Sequence, residues 1–347
     1  MDQVTRVFID TSKSVFQLHG VNGSEQPVLR RKLRRSEMVT FFGQLPPTVV
    51  GLEACGGSHH WARVLSELGH QAKLIAPQHV TPYVKRNKND ARDAEGGCEA
   101  MSRPTMGFVP IKTAEAQAGL MLMGVRERLV RQRTQLTNAI RGHAAEFGLV
   151  GARGLDKIEP LLARLAEATN LPVLARELFA ELACEYAGLG ERLKALEARL
   201  KAWHRVDADS RRLAQIPTVG PIGACLLVMK TPDPKSFRSG RHFAAWIGLT
   251  PKDHSTAGKQ RLGVITRAGD ETLRCTLVSG AMAVIQQAQR RPDLASPWLV
   301  SLLKRKPAKL AAVALANKTA RIAWRLLVTG EDYDPGRSRA EPARAAT

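Results

Sequence analysis

The chain has 347 residues, with 52 Lys and Arg against 32 Asp and Glu, and carries a formal charge of +20 at a pI near 10.3. No run approaches the ~18 consecutive apolar residues that cross a bilayer, and Met1 to Ile9 offers neither a basic leader with an apolar core nor a cleavage site, so a soluble, cytoplasmic protein is expected. With 44% hydrophobic residues and roughly 100–200 residues per domain, two or three packed domains are expected.

The first hundred residues read as mixed α/β. Val4 to Ile9 is a β-branched run ending at Asp10, Val15 to His19 alternates, and Pro27 to Leu33 follows a turn at Asn22-Gly23. These predict three hairpin-linked strands. A helix capped by Ser36, a short strand from Thr48 to Leu52 ending at Glu53, a helix from Ser58 to Leu68 and a strand from Ala72 to Ile75 come next. Two further helices, over Pro77 to Lys85 and Asp90 to Ser102, complete the element order of the ribonuclease H fold.

From Ala114 to about Arg205 the apolar spacing is helical, through Leu120, Val125, Leu129, Leu136 and Ile140 and later Leu182, Leu189, Leu193, Leu196 and Leu200. Charges there are balanced and spaced for local pairing, Glu191 with Lys194 and Glu197 with Lys201. The prediction is a long helical hairpin or coiled coil, either an oligomerisation arm or an ordinary helical subdomain. After Arg212, the stretch Leu213 to Ala224 reads as an apolar helix, a Gly/Pro turn and a second apolar helix. It resembles a helix-hairpin-helix, whose turn aims backbone N–H groups at a DNA phosphate; a plain helical corner has the same signature. Trp246 to Asp270 is too polar and glycine-rich for a core element and predicts a long structured loop between helices. Beyond Gly330 a polar, Pro-containing, disordered tail is expected. The chain thus divides at 1–112, 113–208, 209–330 and 331–347, an α/β part followed by all-α parts.

Charge is shared unequally among these parts. Residues 1–112 hold 15 basic and 10 acidic side chains, 113–210 hold 14 and 13, and 211–330 hold 20 and 5. Three quarters of the net charge therefore lies in one 120-residue stretch, the usual electrostatic footprint of a nucleic-acid partner, with a merely solvated surface as the alternative. Its basic residues are interspersed with Gly, Pro and Trp and do not line one amphipathic helix, which argues against an anionic membrane surface. The five cysteines (Cys55, Cys98, Cys184, Cys225, Cys275) form no CxxC pair and have no His at zinc spacing. Reduced, buried or semi-buried thiols are expected, with neither disulfides nor structural zinc.

Four carboxylates stand at element ends. Asp10 ends the first strand, Glu53 ends the fourth, and Asp90 and Asp93 share a face at the start of a helix. Strands one and four are neighbours in a ribonuclease H sheet, so Asp10 and Glu53 would meet at one sheet end. Four hard oxygen donors there suit one or two Mg²⁺ ions, which activate an attacking oxygen and stabilise a leaving one at a phosphodiester. Asp90 taken alone reads equally as a helix N-cap. Lys13 and the run Lys85-Arg86-Asn87-Lys88-Asn89 would hold a polyanion beside the metals. In the basic part, Ser255 sits among Lys252, His254, Lys259, Arg261 and Arg267, with Arg274 farther on, a setting that would hold a phosphate and favour an alkoxide. A lone loop serine is also an ordinary turn or capping residue.

Taken together, Ile9-Asp10-Thr11-Ser12-Lys13, Leu52-Glu53-Ala54, Asn87 to Ala94, Gly248-Leu249-Thr250-Pro251 and His254 to Lys259 resemble the DEDD insertion-sequence transposases, also called bridge-RNA-guided recombinases. The resemblance runs from about residue 4 to 330. It implies a RuvC-like N-terminal domain, a coiled-coil arm and a C-terminal transposase domain. It also implies Mg²⁺ on Asp10, Glu53, Asp90 and Asp93, and a Ser255 that links covalently to a cut DNA strand. Donor and target DNA, a non-coding bridge RNA and a homodimer or homotetramer, with carboxylates from one protomer and serine from another, are its implied partners, at the bacterial nucleoid. Counted forward from Pro251 the family's serine falls on Thr256; counted back from Gly269 it falls on Ser255, whose primary hydroxyl is less hindered. Two other functions stay open: a metal-dependent junction-resolving nuclease with water as nucleophile, and a degenerate transposase kept as a nucleic-acid-binding protein.

Overall fold

A computed structural model describes residues 3–84, 90–256, 258–259 and 261–336, and the chain forms two compact units, Met1–Ala118 and Gly119–Thr347. The first holds β1 (Arg6–Thr11), β2 (Val15–Val21), β3 (Pro27–Arg34), α1 (Met38–Gln44), β4 (Val49–Glu53), α2 (Ser58–Glu67), β5 (Gln71–Ile75), α3 (Pro77–Val80), α4 (Asp90–Met101) and β6 (Phe108–Val109). The sheet runs β3-β2-β1-β4-β5-β6, with β1 parallel to β4 and antiparallel to β2. That order is consistent with a ribonuclease H or RuvC-like domain.

Alternation places the two faces. Val7, Ile9, Phe16, Leu18, Val50 and Leu52 pack against Met38 and Phe42 of α1 and Trp61 and Leu65 of α2, while Phe8 packs on the other face with Cys98 and Met101 of α4. Each such side chain, fully buried, contributes about 1.5–3 kcal/mol. The α4 helix lies close to the sheet because Gly97 has no side chain: a Cβ there would come within 2.2 Å of the Phe8 ring. That approach sets the height at which Asp90 and Asp93 meet the end of β1.

Several local expectations are corrected. Ser36 caps nothing; it lies in a short 3₁₀ turn, Arg35–Glu37, closed by the Glu37 carboxylate accepting from the Arg34 amide at 2.5 Å. The helix from Pro77 stops at Val80 and tightens into a 3₁₀ turn, Thr81–Tyr83, because Pro82 has no amide to continue it. Residues Lys85 to Asn89 lie outside the described residues. β6 pairs Val109 with Leu74 and Phe108 with Ile75, a two-residue strand too short to carry a period.

The second unit continues with α5 (Ala114–Glu146), which starts in the first, α6 (Ile158–Glu167), α7 (Val173–Val206), α8 (Ala208–Leu213), α9 (Pro221–Lys230), α10 (Gly240–Trp246), β7 (Pro251–Asp253), β8 (Leu262–Ile265), α11 (Glu271–Arg290), α12 (Pro297–Arg305) and α13 (Ala308–Thr329). The two long helices run antiparallel: Arg126 pairs with Glu197 at 2.6 Å, and the Phe147 and Phe179 rings lie 6.0 Å apart. Glu197 therefore bonds across the hairpin and not to Lys201, whereas Lys194 does reach Glu191, at 3.9 Å. Leu161 and Leu165 of α6 enter the same core, so this region is a three-helix packing and not a bare two-stranded coil.

The remaining helices enclose a second core that includes Leu213, Leu227, Phe243, Leu277, Ile285, Ala316 and Ala320. α8 ends at Leu213, earlier than the sequence pattern implied, and a seven-residue connection leads to Pro221 at the start of α9. The hydroxyls of Thr218 and Thr319 meet at 2.6 Å inside this core. Of the expected disordered tail, Glu331 to Gly336 are described and fold back: the Tyr333 amide donates to Gln215 Oε1 at 2.9 Å. Residues 337–347 lie outside the described residues. Cys98 and Cys225 are buried, but Cys55, Cys184 and Cys275 are exposed, which corrects the expectation for those three. No described helix is long and apolar enough to cross a membrane.

Candidate functional site

Sheet register and helix pitch bring three of the four carboxylates together. Asp10 is the fifth residue of β1, and Asp90 and Asp93 lie in the first turn of α4. One oxygen from each lies within 4.8 Å of the others, with Asp10 and Asp93 half-buried and Asp90 exposed. Glu53 closes β4, and Ile9 pairs with Leu52, so Glu53 stands beside Asp10 in register; it is not part of the group of three. Carboxylates this close repel unless a cation sits between them, and an all-oxygen donor set fits a hard divalent ion. Lys13 is exposed in the turn between β1 and β2, where the Arg35 guanidinium donates to its carbonyl at 3.5 Å. Lys85, Arg86 and Lys88 lie outside the described residues.

The serine region is a β-hairpin and not a loop between helices. β7 and β8 pair antiparallel, and beyond them Thr256 and Lys259 form a bridge, the Lys259 amide donating to the Thr256 carbonyl at 2.9 Å. The polar, glycine-rich composition hid the pairing because both strands are almost wholly exposed and show no alternation. The Ser255 amide donates to Asp253 Oδ1 at 2.9 Å, and Ser255 Oγ accepts from the Arg261 amide at 3.0 Å. Hydrogen bonds from the Ser255 hydroxyl and amide hold the Asp253 carboxyl below the usual carboxylate range. Asp253 is thus an ionised acceptor beside the serine, and its spacing two residues before Ser255, the signature of an Asx turn, was the available signal for it.

Lys252, Lys259, Arg261 and Arg267 are all exposed around this hairpin. Arg274 is corrected: it is 9% exposed, and its guanidinium donates to the carbonyls of Ile247 at 3.0 Å and Ala268 at 2.9 Å. It clamps the two ends of the hairpin and does not face a phosphate. The same junction depends on Gly248 and Gly269, both at positive φ, where a Cβ would come within 2.2 Å of the Ala268 carbonyl and 2.0 Å of the Trp246 carbonyl. The hairpin is thus fixed at its ends and exposed at its tip.

A family model described as a transposase of the DEDD, IS110 type matches residues 7–147, and one described as the transposase IS116/IS110/IS902 family matches residues 210–295. A Sinorhizobium fredii protein, y4pF/y4sB, itself described as a transposase, is 64% identical over 342 residues, covering 98% of this chain and 88% of its own. The transposase for insertion sequence element IS1328 of Yersinia enterocolitica is 40% identical over 330 residues, 95% of this chain and 98% of its own. The transposase for insertion sequence element IS1111A of Coxiella burnetii is 38% identical over 338 residues, 97% of this chain and 93% of its own.

Proposed function

The chain belongs to the IS116/IS110/IS902 family of insertion-sequence transposases, and from that premise we propose that it cuts and exchanges DNA strands with Mg²⁺ and a serine nucleophile. The observation that carries the metal half is the convergence of Asp10, Asp90 and Asp93. These three, with Glu53 beside them, would hold Mg²⁺, which supplies charge stabilisation at the phosphate. The Asp253–Ser255 pair supports the covalent half. A base suited to neutral pH has a pKa near 7. Asp253, held lower, is not that base; it fixes the Ser255 backbone through the amide it accepts, and the Ser255 proton leaves to solvent as Oγ bonds to phosphorus. The serine ester forms as the P–O bond to the leaving sugar oxygen breaks, and that oxygen takes up a proton. Attack by the hydroxyl of another strand reverses the step and regenerates Ser255.

Lys252, Lys259, Arg261 and Arg267 hold the DNA backbone in this scheme, with Lys13 on the metal side, and Lys85, Arg86 and Lys88, which precede Asp90 in sequence, are assigned the same role. The homo-oligomer, the bridge RNA that selects sites by base pairing, and the division into RuvC-like domain, arm and transposase domain complete the proposal. The test is a labelled DNA substrate run on a denaturing gel after incubation with Mg²⁺. A protein-linked band, lost with Ser255→Ala and kept with Thr256→Ala, is expected; cleavage with no linked band favours the water-nucleophile nuclease. Sequencing the nucleic acid that copurifies checks the RNA: one defined non-coding species is expected, and random fragments would contradict guidance.

A further inference from the structure

Five of the six residues from Arg30 to Arg35 are basic, and every one of the five is exposed on or beside β3, the edge strand of the sheet. Strand alternation divides them. Leu29 and Leu33 pack with the α1 and α2 core, and Arg31 lies over the Phe41 ring on that side at 5.2 Å. Arg30, Lys32 and Arg34 therefore project from the opposite face, the face of Asp10 and α4. The α4 helix packs on β1 and β2, and β3 stays exposed at these three positions. Among the described residues, none of the three has a carboxylate partner within ion-pair distance.

Their placement relative to the carboxylates is set by register. Lys32 pairs with Gln17, and Gln17 pairs with Asp10, so the three form one row across β3, β2 and β1. Two strand spacings put the Lys32 backbone roughly 10 Å from that of Asp10, and successive cations along β3 are about 6.8 Å apart. Arg34 pairs with Val15 at the sheet end that carries Asp10, next to the turn bearing Lys13. Charge on an edge strand also discourages strand pairing. That purpose does not require three unpaired cations on the one face that leads to the carboxylates.

We propose that Arg30, Lys32 and Arg34 form a phosphate track that holds the sugar-phosphate backbone of the DNA strand whose scissile phosphate enters the carboxylate cluster. The track rests on the proposed cleavage at that cluster and reads backbone charge, not sequence. Its test uses the full-length protein carrying Asp10→Asn, so that binding is read without cleavage and independently of Ser255. Affinity for a fluorescein-labelled single-stranded DNA, and for a structured RNA of equal length, is measured from about 50 to 300 mM NaCl, a range over which phosphate contacts dominate the salt dependence. In R30Q/K32Q/R34Q the slope of log affinity against log salt for DNA falls in magnitude by about 2, three contacts at ~0.7 each. The charge-conserving R30K/R34K keeps the parent slope, and an unchanged melting temperature in both variants shows the sheet intact. A DNA slope that does not change, whether or not the RNA slope falls, overturns the track. A failure of the metal reading shows separately, as cleavage that survives Asp10→Asn alone.

Discussion

The two units hold the groups of the proposed reaction in opposite ways. In the first, Asp10, Asp90 and Asp93 are fixed by a sheet and a helix whose contacting side chains, Phe8, Ile9 and Cys98 among them, are buried, so the carboxylate spacing is set by the core. In the second, Ser255 sits on a hairpin whose strands are exposed and whose order comes from its ends, through Arg274, Gly248 and Gly269. A metal site tolerates little change in ligand spacing, and a nucleophile that must meet a strand and then pass it on gains from an exposed tip. The charge follows the same division, with +15 in residues 211–330 and +5 in residues 1–112, where carboxylates must keep the cluster negative.

Breaking the rigid side gives the largest effect. Asp10→Ala or Asp93→Ala lowers strand cleavage by about 10³-fold, the scale of removing one preorganised electrostatic partner of the transition state. Cleavage that stays within tenfold of the parent would take these residues out of the metal site. On the hairpin side, Arg274→Met strands two buried carbonyls and costs about 3 kcal/mol by denaturant unfolding of the full chain. If Arg274 served phosphate instead, stability would hold and only the salt slope of DNA binding would change.

Smaller changes sharpen the contrast. Gly97→Ala forces α4 off Phe8 and destabilises the first unit by about 1–3 kcal/mol. The concentration of Mg²⁺ needed for half-maximal cleavage rises with it, because Asp90 and Asp93 move with the helix. The least of the predicted effects concerns His59, whose ring is held down to about 4 by burial beside Lys112 and Arg63. A lowered folded value means that stability is fully present above the ordinary histidine range near 6.5 and is lost as pH falls through about 4. His59→Gln therefore flattens the pH dependence of melting between those limits, and an unchanged profile would contradict the assignment.

Much of the first unit was legible because its signals are local. Strand alternation, the Asn22-Gly23 turn and the positions of Asp10, Asp90 and Asp93 at element ends all follow from short windows of sequence. What stayed hidden was non-local. β6 exists only because Leu74 and Ile75 offer it a partner, and Glu197 chose Arg126, 71 residues away, over its helical neighbour. Arg274 looked like one more cation until the fold buried it, and the cations of β3 divide between two faces only once their strand pairing is known. Asp253 lies in the gap between the two motifs recognised in that segment, and its bond to Ser255 depends on a turn that composition alone does not specify.

The proposed division between a rigid metal unit and an exposed serine hairpin is tested most directly by mapping the residue joined to DNA. The linked complex formed with Mg²⁺ is trapped under denaturing conditions, digested with protease and nuclease, and the modified peptide is sequenced by mass spectrometry. The account predicts a nucleotide phosphate on Ser255, and no adduct from Asp10→Asn. An adduct on Thr256, or one that forms equally well in Asp10→Asn, would contradict it.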